Sequence, residues 1–307
     1  MSNGTAPTYQ SGKQSVHANG GDTPLEVRGA GLQFLSQLAG EVSKGTVDLP
    51  CFPDVVIRVR RALDDPETTA EQTVTVVGAE PRLAARLLQT ANSAAFNTTG
   101  KPLTDLRSAI TRLGQQLVQS AAMAYAVQQI KEEKSLRSIS TLLTDLWKEC
   151  IAVASISHVV ARRTKVSPDE AFLAGLMHGI GRLYIMVRAV GHAGQFSADA
   201  SFIDLVAGWH AQIGKAVLEN WGFAEQMCAA VGDQADYSRR WKNAPDLTDI
   251  LIVSTVLAEA MKGPAPRAIL MEGITAFATI GLKQADCEAV LTQAEQQLSS
   301  LHDALGC

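Results

Sequence analysis

Several features are scarce in this chain, and each absence removes a class of function. The five cysteines, Cys51, Cys150, Cys228, Cys287 and Cys307, contain no C-x-x-C pair and no closely spaced set, so a disulfide framework is not expected and a reducing cytoplasm fits best. Positive charge is not in excess either. Lys and Arg number 27 against 31 Asp and Glu, a net charge of -4, and tight generic binding to nucleic acid draws most of its free energy from cations that neutralise phosphates. Long apolar runs are missing: Ile250 to Met261 is interrupted by Ser254, Thr255 and Glu259 and falls short of the roughly 20 residues a bilayer demands. No membrane span is expected. There is no G-x-S-x-G elbow and no Rossmann glycine fingerprint, and around Gly214-Lys215 the spacing from Gly208 is wrong for a phosphate loop, with Ala216 where a Ser or Thr belongs.

What is present is helical. Apolar residues make up 46% of the 307 residues, ample for a core without staples. They recur at helical rather than strand spacing, which predicts an all-α fold. Leu106, Ile110, Leu113 and Leu117 share one face of a helical path that Gly114 could interrupt. Thr69 and Gln72 have the form of a capping box. Pro81 suits a first helical turn, and Ser167-Pro168-Asp169-Glu170 joins an N-cap, a first-turn proline and two carboxylates at the positive end of the dipole.

Residues 1–26, rich in Ser, Gly, Thr, Asn and Gln and lacking the basic and apolar stretches of a secretory signal, read as a disordered tail. Breaks at Asn97–Leu103, Pro245 and Gly263-Pro264-Ala265-Pro266 divide the rest. An N-terminal helical lobe is expected over 27–130 and a second over 142–236. The helices of 246–307 are expected to pack on the second lobe.

Two blocks carry a family resemblance. Leu49-Pro50, Glu80-Pro81-Arg82-Leu83, Ala91-Asn92-Ser93-Ala94-Ala95-Phe96 and Ala109-Ile110-Thr111-Arg112-Leu113-Gly114 resemble the N-terminal half of the HDOD family. Trp147 to Ala154, followed by Asp169 to Leu183, resembles its half derived from the HD-domain phosphohydrolases. The resemblance implies a two-lobed helical bundle whose second lobe is HD-like, and a bacterial signalling role exercised through protein partners.

It also implies where a metal site would have been. HD enzymes hold their ion through a His, an adjacent His-Asp pair and a distant Asp, since a divalent ion needs several converging ligands to activate water. Laid on that pattern, the first His falls at Glu149, the pair becomes His178-Gly179, the last Asp falls near Glu259, and auxiliary histidines fall at about Gln234 and Ala235. Only His178 is retained unchanged. A single imidazole with two carboxylates is short of a catalytic set, so the expectation is a non-catalytic protein without cofactor or metal, with Glu149, His178, Gly179 and Glu259 as vestiges. His210 and His158 are expected to pack or cap rather than catalyse.

The expected partners are signalling proteins, with cyclic-dinucleotide and two-component systems as the associated circuits, and self-association is left open. Asn92, Ser93, Arg86, Lys101 and Arg107 are candidates for partner contact, against the plainer reading of Asn92-Ser93 as a helix-end lock and of the cations as a solvated face. Two rival functions remain: a residual metal-dependent phosphohydrolase acting on a nucleotide or cyclic dinucleotide, and a DNA-binding regulator suggested by the two short capped helices of Thr69 to Ala95, which imitate a helix-turn-helix. The acidic balance disfavours the latter.

Overall fold

The computed structural model describes residues 24–45, 47, 49, 54–65, 67–93, 96–97, 100–190, 200–240, 244–262 and 271–305. The tail up to residue 23, Pro50, Cys51, Ala94, Ala95, the 263–266 break and Cys307 lie outside them. Every regular element among the described residues is helical. In the first lobe these are α2 (Asp54–Asp64), α3 (Ala70–Gly78), α4 (Pro81–Asn92) and α5 (Leu106–Glu132). A short 3-10 helix, Lys134–Ile139, leads to α6 (Ser140–Ala161), α7 (Pro168–Met177), α8 (Ile180–Val190), α9 (Ala200–Asn220) and α10 (Glu225–Gly232). The chain continues through α11 (Leu247–Ala260), α12 (Thr275–Ile280) and α13 (Gln284–Leu305), and is preceded by α1 (Pro24–Ser43).

The local signals act as their chemistry requires. Thr69 accepts from the Gln72 amide at 3.2 Å while the Gln72 side chain accepts from the Thr69 amide at 2.7 Å, closing the capping box of α3. Ser167 caps α7 by accepting from the Glu170 amide, with Pro168 in the first turn. Gly114 adopts φ 74°, ψ 167°, a conformation costly for any residue with a Cβ, and there α5 bends. Its apolar stripe survives the bend: Leu113 is buried, and Leu106, Ile110 and Leu117 pack against the core. Asp246, just after Pro245, caps α11 in a second capping box.

α6 is the central helix, flanked by α7, α11 and α13. Its crossing with α7 is close because residue 175 is glycine: a Cβ there would lie 2.5 Å from the Ala154 Cα. The α8–α9 crossing depends on Gly181, whose Cβ would lie 1.9 Å from the His210 carbonyl oxygen. One continuous buried cluster runs from Phe34 through both lobes to Ala294.

One boundary and two packing arrangements differ from expectation. α1 already begins at Pro24, inside the stretch expected as tail, consistent with proline's fitness for a first helical turn. α1 lies against α9 of the second lobe rather than on the first: it buries Phe34, Leu35, Leu38 and Val42, Asn220 donates to the Val42 carbonyl at 2.9 Å, and Glu41 pairs with Arg188 at 2.8 Å. α13 packs on α6 but also reaches α4 and α5, so it bridges the lobes.

Candidate functional site

The second lobe gathers its charged residues at one place because three helices end or turn there. α6 presents Glu149; α7 stops at Met177 with His178 as its C-cap; α8 carries Arg182; and Lys262 follows the end of α11. His178 is 1% exposed. Its Nδ1 lies 2.7 Å from the Gly175 carbonyl, which requires a proton on Nδ1, and its Nε2 lies 3.0 Å from an Arg182 nitrogen that can only donate. Burial and Arg182 oppose a positive charge on this ring, while Cys150 and Glu149 favour it. The contact with the guanidinium fits the neutral ring, with Nε2 as acceptor.

The same Arg182 nitrogen donates to Glu149 Oε1 at 2.6 Å, and Lys262 donates to Glu149 Oε2 at 3.2 Å and pairs with Glu259 at 2.6 Å. Burial alone would raise the pKa of Glu149, yet the hydrogen bond and charge of Arg182 hold the carboxyl well below the usual carboxylate range. Burial would lower the pKa of Lys262, but Glu259 and Glu149 raise it. Both carboxylate oxygens of Glu149 are therefore engaged by cations of the chain itself. Arg182 Nε is buried with no hydrogen-bond partner, so this charge cluster is not fully satisfied.

These residues do not fit a catalytic metal. Among the described residues no group of three or more His, Cys, Asp or Glu side chains is placed to hold an ion. The donors that do converge are already occupied: Glu149 by Arg182 and Lys262, Glu259 by Lys262, and His178 by its own helix and Arg182. Gly179 does not face this cluster. A Cβ there would lie 2.6 Å from the Cys150 Sγ and 3.0 Å from Leu146 Cδ1, so the vestigial His-Asp position points into the apolar core. Glu149, His178 and Glu259 are thus brought together and Gly179 is not.

Beside the cluster lies a cavity of about 710 Å³, lined by Glu149, His178, Arg182 and Glu259 and also by His210, Gln234 and Ala235. The residues aligned with auxiliary histidines therefore do stand at the cavity, without imidazoles. His210 bonds the Ala207 carbonyl of its own helix through Nδ1 at 2.8 Å. His158 is elsewhere, half-buried and 3.9 Å from Asp169, and burial lowers its pKa. Sequence reasoning missed Arg182 and Lys262. The available signal for Arg182 was its position four residues after His178, one helical turn on; for Lys262 there was none, since its partner Glu149 is 113 residues away.

The candidates in the first lobe are tied up internally. Asn92 closes two hydrogen bonds with the Leu103 backbone, donating to its carbonyl at 2.8 Å and accepting from its amide at 2.7 Å. Ser93 donates to the Thr90 carbonyl at 2.8 Å. Arg86 donates to Gln128 of α5, and Arg107 pairs with Glu71 at 2.9 Å. Arg112, from the same block, donates to the Ala91 carbonyl at 3.2 Å and to Asn97 at 3.1 Å. Lys101 is exposed.

Comparison with known proteins agrees with this architecture. A curated protein of uncharacterised function from Treponema pallidum (strain Nichols) is 20% identical over 205 residues, which span 62% of this chain and 38% of that relative. Among solved structures, a proposed metal-dependent phosphohydrolase from Shewanella amazonensis SB2B superposes with a TM-score of 0.69 at 23% identity, covering 89% of this chain and 99% of that one. An HDOD domain protein of unknown function from Geobacter sulfurreducens gives 0.59 at 20% identity, over 89% and 98%. A proposed signal transduction protein from Marinobacter aquaeolei VT8 gives 0.62 at 20% identity, over 93% and 67%. These likenesses concern the fold. The HDOD domain family model matches residues 49–237, and the chain belongs to that family.

Proposed function

We propose that this chain is a non-catalytic signalling module that acts through contacts with other proteins. The observation that carries the reading is the Arg182–Glu149–Lys262 cluster: where an HD enzyme needs carboxylate and imidazole ligands free for an ion, this chain supplies its own cations to the carboxylate. Activation of water requires an ion fixed by several ligands, and the converging donors are already taken. The family and the signal transduction neighbour from Marinobacter aquaeolei support a bacterial signalling circuit, with cyclic-dinucleotide or two-component proteins as partners. The helix-turn-helix reading is further weakened, because Arg82 and Arg86 of α4 are bonded to Glu132 and Gln128 of α5.

The test is direct. The full chain is incubated with manganese, iron or magnesium and a panel of mononucleotides and cyclic dinucleotides, and products are followed by chromatography. No turnover is expected. Hydrolysis that His178→Ala abolishes would establish the residual phosphohydrolase instead.

A further inference from the structure

The cavity beside His178 is large enough for a small metabolite, since ligand pockets run from about 300 to 1,000 Å³. What it would hold is written in the polar groups its wall leaves unused. Gln234 is 4% exposed, and its Nε2 donates to the carbonyls of His178 at 3.0 Å and Val231 at 2.9 Å. Those two bonds fix the orientation of the amide and leave Oε1 without a partner among the described residues. The Nδ1 of His210 takes its proton to the Ala207 carbonyl. Burial, followed by the charge of Arg182, lowers the pKa of this ring, so its Nε2 is a bare acceptor. Thr255 gives its hydroxyl proton to the Ile252 carbonyl at 2.9 Å, leaving lone pairs. All three residues line the cavity.

The unmatched charge has the same sign as these acceptors. Arg182 and Lys262 are paired with Glu149 and Glu259, and the unpartnered Arg182 Nε is itself buried out of solvent reach, so it offers no donor to the cavity. Glu272, exposed on the cavity wall, has no ion pair among the described residues. Tyr237 lines the same cavity: its carbonyl accepts from the Thr275 amide at 3.3 Å, and the residue is 46% exposed. Val256 and Ile274 supply apolar wall between.

We infer that this cavity binds a small aliphatic organic cation of the diamine or polyamine class. An ammonium carries three donors and no acceptor, and the two ends of a diamine would each find acceptors on a wall that offers Gln234 Oε1, His210 Nε2 and Glu272. An aromatic face such as that of Tyr237 adds attraction for a cation, and a methylene chain suits Val256 and Ile274. A phosphate or nucleotide would bring acceptors to acceptors and negative charge to Glu272. The inference rests on the reading of the cavity as a site without a catalytic metal.

Calorimetric titration of the full chain at fixed ionic strength tests it, with putrescine and spermidine as probes and AMP, cyclic diguanylate and inorganic phosphate as rivals. The expected result is saturable one-to-one binding of an amine and none of the phosphates. Glu272→Gln weakens the amine by roughly tenfold, the worth of one charge-assisted hydrogen bond. Ala235→Trp, at an exposed position on the cavity wall, abolishes binding by filling the space, while both variants keep wild-type helical circular dichroism. No amine binding at millimolar concentration, binding that both variants leave unchanged, or tighter binding of a phosphate would each overturn the inference. Its failure is distinguishable from failure of the non-catalytic reading, which falls only to metal-dependent turnover.

Discussion

Asn92 in the first lobe and the Glu149–Arg182 pair in the second are both polar groups set in apolar surroundings, and the protein treats them in opposite ways. Asn92 is closed: its amide makes paired bonds to the backbone of one residue, Leu103, only 11 positions away. In the second-lobe cluster Glu149 takes its two cations from 33 and 113 positions away, the cluster opens on a cavity, and Arg182 Nε is left without a partner. A polar group satisfied by nearby backbone fixes the end of a helix. One satisfied by distant side chains, with capacity to spare, is where a ligand or a change of state can enter. The two regions therefore have separate jobs within one continuous core.

The sharpest way to break this comparison is Gly179→Asp, which restores the literal His-Asp pair. Because the new side chain starts 2.6 Å from the Cys150 Sγ in the apolar core, it buries a carboxylate with no cation to pair with. A loss of about 3 kcal/mol or more is expected in denaturant melts, with no hydrolytic activity. A stable and active variant would mean that the turn after α7 can re-aim this side chain into the cavity.

Arg182→Met should be next in size, lowering stability by about 2 kcal/mol, because it strips the half-buried Glu149 carboxylate of a charged partner. In a double-mutant cycle with Glu149→Gln, the pair should show coupling of about 1–3 kcal/mol. Additive effects would show that the cluster is not the unit described. The same pair sets a pH dependence. The folded-state pKa of Glu149 is depressed below its ordinary value of 4.5, so the unfolded state takes up the proton first. The contribution is complete above about pH 4.5 and is lost as the pH falls below it. Chemical melts of wild type and Glu149→Gln between pH 6 and pH 3 should converge towards the acid end, and parallel curves would contradict the assignment.

Asn92→Ala should cost about 2 kcal/mol, since both bonds to Leu103 vanish and its half-buried backbone loses its partner. Its mark would be local: faster amide exchange at Leu103 and the following turn, with none at the cavity. Exchange that rises equally in both regions would erase the distinction drawn above. Arg107→Ala is expected to change stability by less than about 0.5 kcal/mol, because its pair with Glu71 is solvent-exposed on both sides. A larger loss would give that arginine a structural part that its geometry does not explain.

Much of the helical framework was legible from local chemistry. The caps at Thr69 and Ser167, the proline starts at Pro81 and Pro168 and the weak point at Gly114 are decided within four or five residues, and they stand where the sequence places them. The positions of Glu149, His178 and Glu259 on one cavity were accessible only through the family pattern. For Arg182 as an internal counter-charge the sequence offered only its place one turn after His178, and for Lys262 nothing at all, because nothing local marks a cation whose partner lies 113 residues away on another helix. The direction of Gly179 was hidden for a similar reason: adjacency to His178 in sequence says nothing about which side of a turn a Cβ would occupy. The docking of α1 on α9 escaped because an apolar helical stripe does not name its partner.

That docking sets an order of events as the chain is made. α1 is complete at Ser43, whereas the surface that covers Phe34, Leu35 and Leu38 is supplied by α9, which ends at Asn220. At synthesis rates of about 5–20 residues per second, α1 waits on the order of ten seconds or more with its apolar face uncovered, while the lobe behind it can already condense around α4 and α5. The earliest-made helix described here is thus among the last to be buried, and during that interval it is the segment most exposed to chaperones and to neighbouring nascent chains.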